Sequence, residues 1–234
     1  ILVDGTPHVL TIPELFIENI QTAEDQYNRF LYASILRILR IAGLFITVMV
    51  PGLYVAIVTF DQEMLPSVFL QSIITSTLKT PMPVSAEILV LTVLFEILKE
   101  AGTRLPKAVG SAITIVGSLI IGEAAVSAGL VSEASVIIVA VGAVTSFMVP
   151  NLSEFTLIYR ALFWIFGSSM GIIGIGACAF IMATQLISTT SFGIPILSSF
   201  STSEMADGLV RAPLKSIKFR PQSIAGPNKK RKNF

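Results

Sequence analysis

The chain has 234 residues, of which 53% are hydrophobic and 13% charged, where an ordinary soluble domain carries roughly a quarter charged. With a mean hydropathy of +0.80 and apolar residues gathered into blocks too long for core helices, this composition excludes a soluble globular enzyme as the default and places the chain in a membrane. The net charge of +1 hides an asymmetry, because eight of the sixteen Lys and Arg lie within residues 211–234, which hold no Asp or Glu.

In chain order, the opening ILVDGTP is neither a basic n-region nor an apolar signal core. The chain reads as a fragment or processed form, with residues 1–40 a cytoplasmic connector. Residues 41–60 (IAGLFITVMVPGLYVAIVTF) span about 30 Å as a helix, enough to cross the hydrocarbon core. Pro51-Gly52 falls at mid-depth there, so a freed backbone group must find a partner on a neighbouring helix or in water. Segments 64–78 and 84–98 are about 15 residues each, too short to cross comfortably, and Lys79-Thr80-Pro81-Met82-Pro83 breaks the chain between them. They read either as interfacial helices or as a re-entrant hairpin lining a polar cavity. Glu87 and Glu96, nine residues apart, project from opposite faces of one helix, so both faces of 84–98 should meet protein or water.

Residues 108–128 and 134–150 form a helical hairpin about the turn 129–133. Residues 161–187 are the longest apolar block, carrying Gly167, Gly171, Gly174 and Gly176. Gly167-x-x-x-Gly171 permits close helix contact, and the block either tilts across or contains a break. The module 41–187 is thus expected to be all-α, a polytopic membrane fold of four long spanning helices plus two short, re-entrant or crossing, helices. Four spans place eleven Lys and Arg on the side holding both termini and five on the other, so both ends are assigned to the cytoplasm. Residues 188–234 are a Ser/Thr-rich connector and a basic cytoplasmic tail ending in KKRKNF, attracted to anionic lipids and requiring no nucleic-acid partner.

Chemistry-bearing motifs are sparse. There is no GxSxG and no P-loop. Cys178 is the single cysteine and His8 the single histidine, so no intrachain disulfide, multi-histidine metal site or HExxH motif can form. No enzyme activity, cofactor or metal is expected. Ser111, Thr114 and Ser118 recur at i, i+3, i+7 and form one stripe. That stripe either lets helices pack closely or faces water along a pore. Gly110 and Gly117 allow copies to approach, and Ile115 and Ile121 are suited to a hydrophobic gate, so the pore is placed on residues 108–123. The rival is 134–150, with Gly142, Thr145 and Ser146. Glu87, Glu96 and Glu123 are the candidate gating or intramembrane carboxylates, and Glu100 and Arg104, at i, i+4, can pair.

ILVDGTP at the start, PGLYVAIVTFDQEMLP at 51–66 and FEILKEAGTRLPKAVGSAITIVGSLIIGEAAVSAGLVS at 95–132 resemble the GerA-type A-subunit family of spore germinant receptors, which includes a stage V sporulation paralog. Asp61 stands where that family commonly has histidine, Met82 where an aromatic is common and Glu123 where glutamine is common. The resemblance implies a multi-pass protein of the spore inner membrane, associated with B- and C-type receptor subunits, and a soluble cytoplasmic domain, missing here, ahead of residues 1–40. It further implies a homo-oligomer that acts as a nutrient-gated ion channel initiating germination. The alternatives from other classes are a secondary transporter and a passive scaffold subunit of a sporulation membrane complex.

Overall fold

The structure, a computed structural model, describes residues 15–104, 110, 117 and 120–197. Among these the fold is all-α but for one small hairpin. The helices are α1 (Phe16–Ile20), α2 (Phe30–Thr59), α3 (Ser67–Thr77), α4 (Val84–Thr103), α5 (of which 120–127 are described), α6 (Glu133–Ser146) and α7 (Ser153–Ser188). Strands β1 (Thr190–Ser191) and β2 (Ile194–Pro195) pair antiparallel across Phe192 and Gly193, both at positive φ (50° and 81°), as tight primed turns require. The contacts divide the chain into two units, residues 1–42 with 180–234, and residues 43–179.

The first unit is organised around Asp25, which is fully buried. Arg40 grips it with both ends of its guanidinium, Nη1 to Oδ2 at 2.7 Å and Nη2 to Oδ1 at 2.9 Å, and Arg37 Nε reaches Oδ2 at 3.3 Å. Thr22 adds its backbone N–H and hydroxyl, while Arg40 also donates to Ile20 O. This cluster explains why α2 begins at Phe30, eleven residues before the apolar block: Arg37 and Arg40 are paired inside the protein, so they do not mark the end of a buried helix. The hairpin joins the same unit through Phe16 N–H to Ile196 O, 3.2 Å.

In the second unit the core cluster is Val55, Ile88, Leu91, Val131 and Val139, drawn from α2, α4, the turn before α6, and α6. Phe95 and Phe147 meet edge to face at 6.0 Å. The closest helix approach is between α2 and α7. A Cβ on Gly52 would lie 2.5 Å from Phe163 O, and one on Gly167 would lie 2.6 Å from Gly52 O. Only glycine permits that backbone contact.

Two helices among the described residues are long and apolar enough to cross a membrane, Phe30–Thr59 and Pro150–Ser188, against the four expected. Of residues 108–128, those at 108–109, 111–116 and 118–119 lie outside the described residues. The 134–150 block yields an α6 of fourteen residues, about 21 Å and short of the hydrocarbon thickness. Segment 64–78 contracts to the eleven residues of α3, whose buried residue is Ile73. Segment 84–98 instead extends to Thr103, giving α4 twenty residues, because Glu96 with Lys99 and Glu100 with Arg104 pair along the helix and carry it on. The 161–187 block does contain a break. Gly171 stands at φ 63°, ψ −144°, and beyond it the chain folds back so far that a Cβ on Gly174 would collide with Phe166 O. Those residues are eight apart, about 12 Å along a straight helix. Asp61 Oδ2 accepts Ile172 N–H at 3.1 Å and caps the second limb.

Alanine at Gly52 or Gly167 should cost about 1–3 kcal/mol, whereas alanine at Gly176, which has nothing within 4 Å of a Cβ, should be neutral or stabilising by up to about 1 kcal/mol. Denaturant unfolding of the three variants measures the contrast. A second outcome concerns acid. Burial alone would raise the Asp25 carboxyl, but the hydrogen bonds from Arg40, Thr22 and Arg37 and the Arg40 charge outweigh it and bring its pKa down to about 2. A depressed folded pKa contributes stability above the unfolded value of about 3.9 and loses it as pH falls toward 2, an effect of about 2 kcal/mol. Amide protection factors of the α1–α2 segment, corrected for the intrinsic exchange rate at each pH, should therefore fall between pH 5 and 2, and in Asp25→Asn that pH dependence should flatten.

Candidate functional site

The site begins with a missing donor. Pro51 lies inside α2 and has no N–H, so the carbonyl four residues earlier, Thr47 O, loses its helical partner. Arg160 of α7 supplies one, with Nε 3.2 Å from that oxygen. Thr47 also holds α6: its hydroxyl and that of Thr145 share a hydrogen bond at 2.7 Å, and Thr47 Oγ1 lies 3.3 Å from Gly142 O. Gly142 packs on the Pro51 ring, 3.6 Å from a Cβ position to Cγ.

The rest of the guanidinium faces α4. Arg160 is 3% exposed, and its Nη1 donates to Glu96 Oε1 at 2.8 Å. Lys99 Nζ stands 4.0 Å from the other Glu96 oxygen, so the carboxylate sits between two cations. Arg160 Nη2 is buried with no acceptor among the described residues. Beside this cluster α4 and α7 enclose a groove of about 850 Å³, with Leu89, Val93, Leu157 and Trp164 along one stretch and Lys99, Glu100, Arg104 and Glu154 along another. Trp164 is fixed at its wall by Nε1–H to Ser85 O, 3.0 Å.

Nine residues earlier on α4, and on its other side, Glu87 is fully buried. Oε1 accepts from Thr80 Oγ1 at 2.6 Å; Oε2 accepts from Ser132 N–H at 3.1 Å, Ser132 Oγ at 2.8 Å and Ser135 Oγ at 2.7 Å. Ser132 is the N-cap of α6, so the carboxylate lies at the positive end of a helix dipole. Among the described residues its partners are neutral donors and it forms no ion pair. Charge-assisted hydrogen bonds to a helix N-terminus are what make an unpaired buried carboxylate tolerable.

Of the carboxylates read from sequence, Glu87 and Glu96 do lie on opposite sides of α4, each engaged with protein. Glu123 is exposed on α5 and Ile121 half-buried. Ser111, Thr114, Ile115 and Ser118 lie outside the described residues. The rival stripe is occupied: Gly142 and Thr145 pack on α2, and Ser146 is buried. Glu100 and Arg104 pair as expected, at 2.6 Å and exposed. Sequence reading missed Arg160, placed there in a loop between spans, as well as the Thr80, Ser132 and Ser135 cradle. The available signals were a lone arginine abutting a 27-residue apolar block and a Ser-x-x-Ser pair opening the next helix.

Comparison with known proteins agrees with the resemblance. The family model described as Bacillus/Clostridium GerA spore germination protein matches residues 1–223. Spore germination protein KA of Bacillus subtilis is 44% identical over 99% of this chain and 43% of its own length. The uncharacterized membrane protein YfkQ of the same organism is 38% identical over 97% of this chain and 45% of its own length. Spore germination protein GerLA of Bacillus cereus is 37% identical over 96% and 46%. The chain thus spans less than half the length of these relatives. No solved structure matches it. The chain belongs to the GerA spore germination protein family.

Removing the charge at Glu96 leaves Arg160 buried and unpaired, so Glu96→Gln should lower stability by about 3 kcal/mol. Glu100→Gln breaks only an exposed pair and should cost under about 1 kcal/mol. Equilibrium unfolding of the two variants distinguishes the buried pair from the surface one.

Proposed function

We propose that this member of the GerA family is the membrane module of a germinant-receptor A subunit, a non-enzymatic component that oligomerises into a nutrient-gated ion channel and starts germination. The observation that carries the reading is the family match over residues 1–223. It is supported by Arg160, a charge buried in a helix apolar enough to span a membrane, and by its partner Glu96 on α4, whose other side buries Glu87, since intramembrane ionisable groups mark functional paths. In this reading the chain is multi-pass in the spore inner membrane, with residues 41–187 as the transmembrane module, 1–40 and 188–234 cytoplasmic, and four long spans joined by two short helices. Copies of the chain assemble with one another and with B- and C-type subunits, and the basic tail rests on anionic lipid. Ser111, Thr114 and Ser118 line the pore, Ile115 and Ile121 form its gate, and Glu87, Glu96 and Glu123 act on ions or gating.

A second reading, a secondary transporter, is favoured by one feature: α7 is discontinuous at Gly171, and Asp61 caps its second limb. Half-helices of this kind build substrate sites in transporters.

Reconstitution separates the possibilities. A vesicle-embedded oligomer should pass ions at rates far above a carrier's turnover, and cysteines at 111, 114 and 118 should react with a small charged thiol reagent that then blocks the current. Flux that saturates and requires a counter-substrate supports the transporter, and an oligomer that passes no ions under any condition supports a scaffold. Reaction at positions 142 and 145 with none at the stripe would move the pore to α6.

A further inference from the structure

We propose that the groove between α4 and the first limb of α7 holds one anionic phospholipid, its headgroup at Arg160 and Lys99 and an acyl chain along Leu89, Val93 and Leu157. This rests on the chain lying in a membrane and is independent of whether it conducts ions.

Three observations point to that occupant. Arg160 Nη2 is buried, lacks an acceptor among the described residues and belongs to a side chain lining the groove. Its other donors are engaged by Thr47 O and Glu96, so an acceptor for Nη2 has to come through the groove. The charges give the sign. Arg160 and Lys99 flank a single carboxylate, Glu96, and Glu100 and Arg104 cancel one another at 2.6 Å, leaving one positive charge at the inner end. The exposed Glu154 belongs to the same charged stretch, so the lining as a whole is neutral and the positive charge is local to Arg160 and Lys99. The order of residues then gives the shape of the ligand. Along α4 the lining runs from Leu89 and Val93 to Lys99 and Arg104, apolar first and charged after, over roughly 22 Å of helix. Leu89, Val93, Ile97 and Leu157 are each 40–59% exposed, so the apolar stretch opens sideways to where acyl chains lie, and a lipid enters without crossing water. A groove of about 850 Å³ lies within the range of sites that hold a whole small ligand or the larger part of a lipid.

Trp164 reports on occupancy, being the single tryptophan of the chain and part of the groove wall. The chain is reconstituted in vesicles containing a small, increasing fraction of acyl-brominated phosphatidylglycerol, or of phosphatidylcholine carrying the same brominated chains. Flotation with the vesicles checks membrane insertion separately. The expected result is saturable Trp164 quenching, half-maximal at a several-fold lower fraction of the anionic lipid. Lys99→Gln should shift that midpoint about fivefold upward. Val93→Trp would add a second fluorophore, so Val93→Phe is used to narrow the groove and should reduce the maximal quenching. Glutamine at Lys229, Lys230, Arg231 and Lys232 should leave the midpoint unchanged, which separates this site from attraction of the tail. Equal midpoints for the two lipids, or a midpoint moved by the tail substitutions and not by Lys99→Gln, in a chain that floats with the vesicles, would overturn the proposal. So would quenching by brominated oleate with none by the phosphatidylglycerol.

Discussion

A proline within a buried apolar helix strands one carbonyl, and in this chain the stranded oxygen is Thr47 O and its partner is the side chain of Arg160. Most of the second unit is arranged around that contact. The same guanidinium reaches Glu96 on α4, and Thr47 reaches α6 through its hydroxyl, so four helices are tied at one level. Close by, α2 and α7 touch backbone to backbone at Gly52 and Gly167. The glycines matter because they bring α7 near enough for Arg160 to reach across. An unpaired buried arginine would be too costly to keep, and an unpaired buried carbonyl nearly so; each solves the other's problem.

The two acidic residues of α4 show two different solutions to the burial of a carboxylate. Glu96 is matched by opposite charge, from Arg160 and at longer range Lys99. Glu87 is surrounded by hydroxyls and the N-terminus of α6, with no formal charge nearby to balance it among the described residues. The first arrangement fixes α4 against α7 and the second fixes α4 against α6. A helix with polar demands on both sides can satisfy them only between two others, which is why α4 is held between α6 and α7 although it carries more charge than either.

What could be read from the sequence was largely what period and composition determine. Helicity, the need for a partner at Pro51, the two-sided character of α4 and the close packing at Gly167 all follow from spacing. The boundaries failed where a polar residue was taken as the edge of a buried segment. Arg37 and Arg40 are inside because Asp25, twelve and fifteen residues away, meets them. Arg160 is inside because Glu96 and Thr47, 64 and 113 residues away, meet it. Such pairings are tertiary and leave no local periodic trace. The reversal at Gly171 was open in the sequence only as one of two alternatives, since glycine permits positive φ without requiring it.

The separation of Glu96 from Arg160 also has a meaning in time. The carboxylate is made 64 residues before the guanidinium that neutralises it, an interval of about 3–13 s at ordinary rates of synthesis. Over that interval α4 carries Glu87, Glu96, Lys99 and Glu100 without the partner of Glu96, since α6 is made only in the second half of it and Arg160 of α7 at its end, and a charge at the centre of a lone helix adds roughly 2.5–3.5 kcal/mol to the cost of entering lipid. As nascent chain, α4 is thus a poor substrate for one-by-one insertion. Its charges are neutralised only once the later helices have emerged, so the distance between one acid and one base bears on the order of assembly.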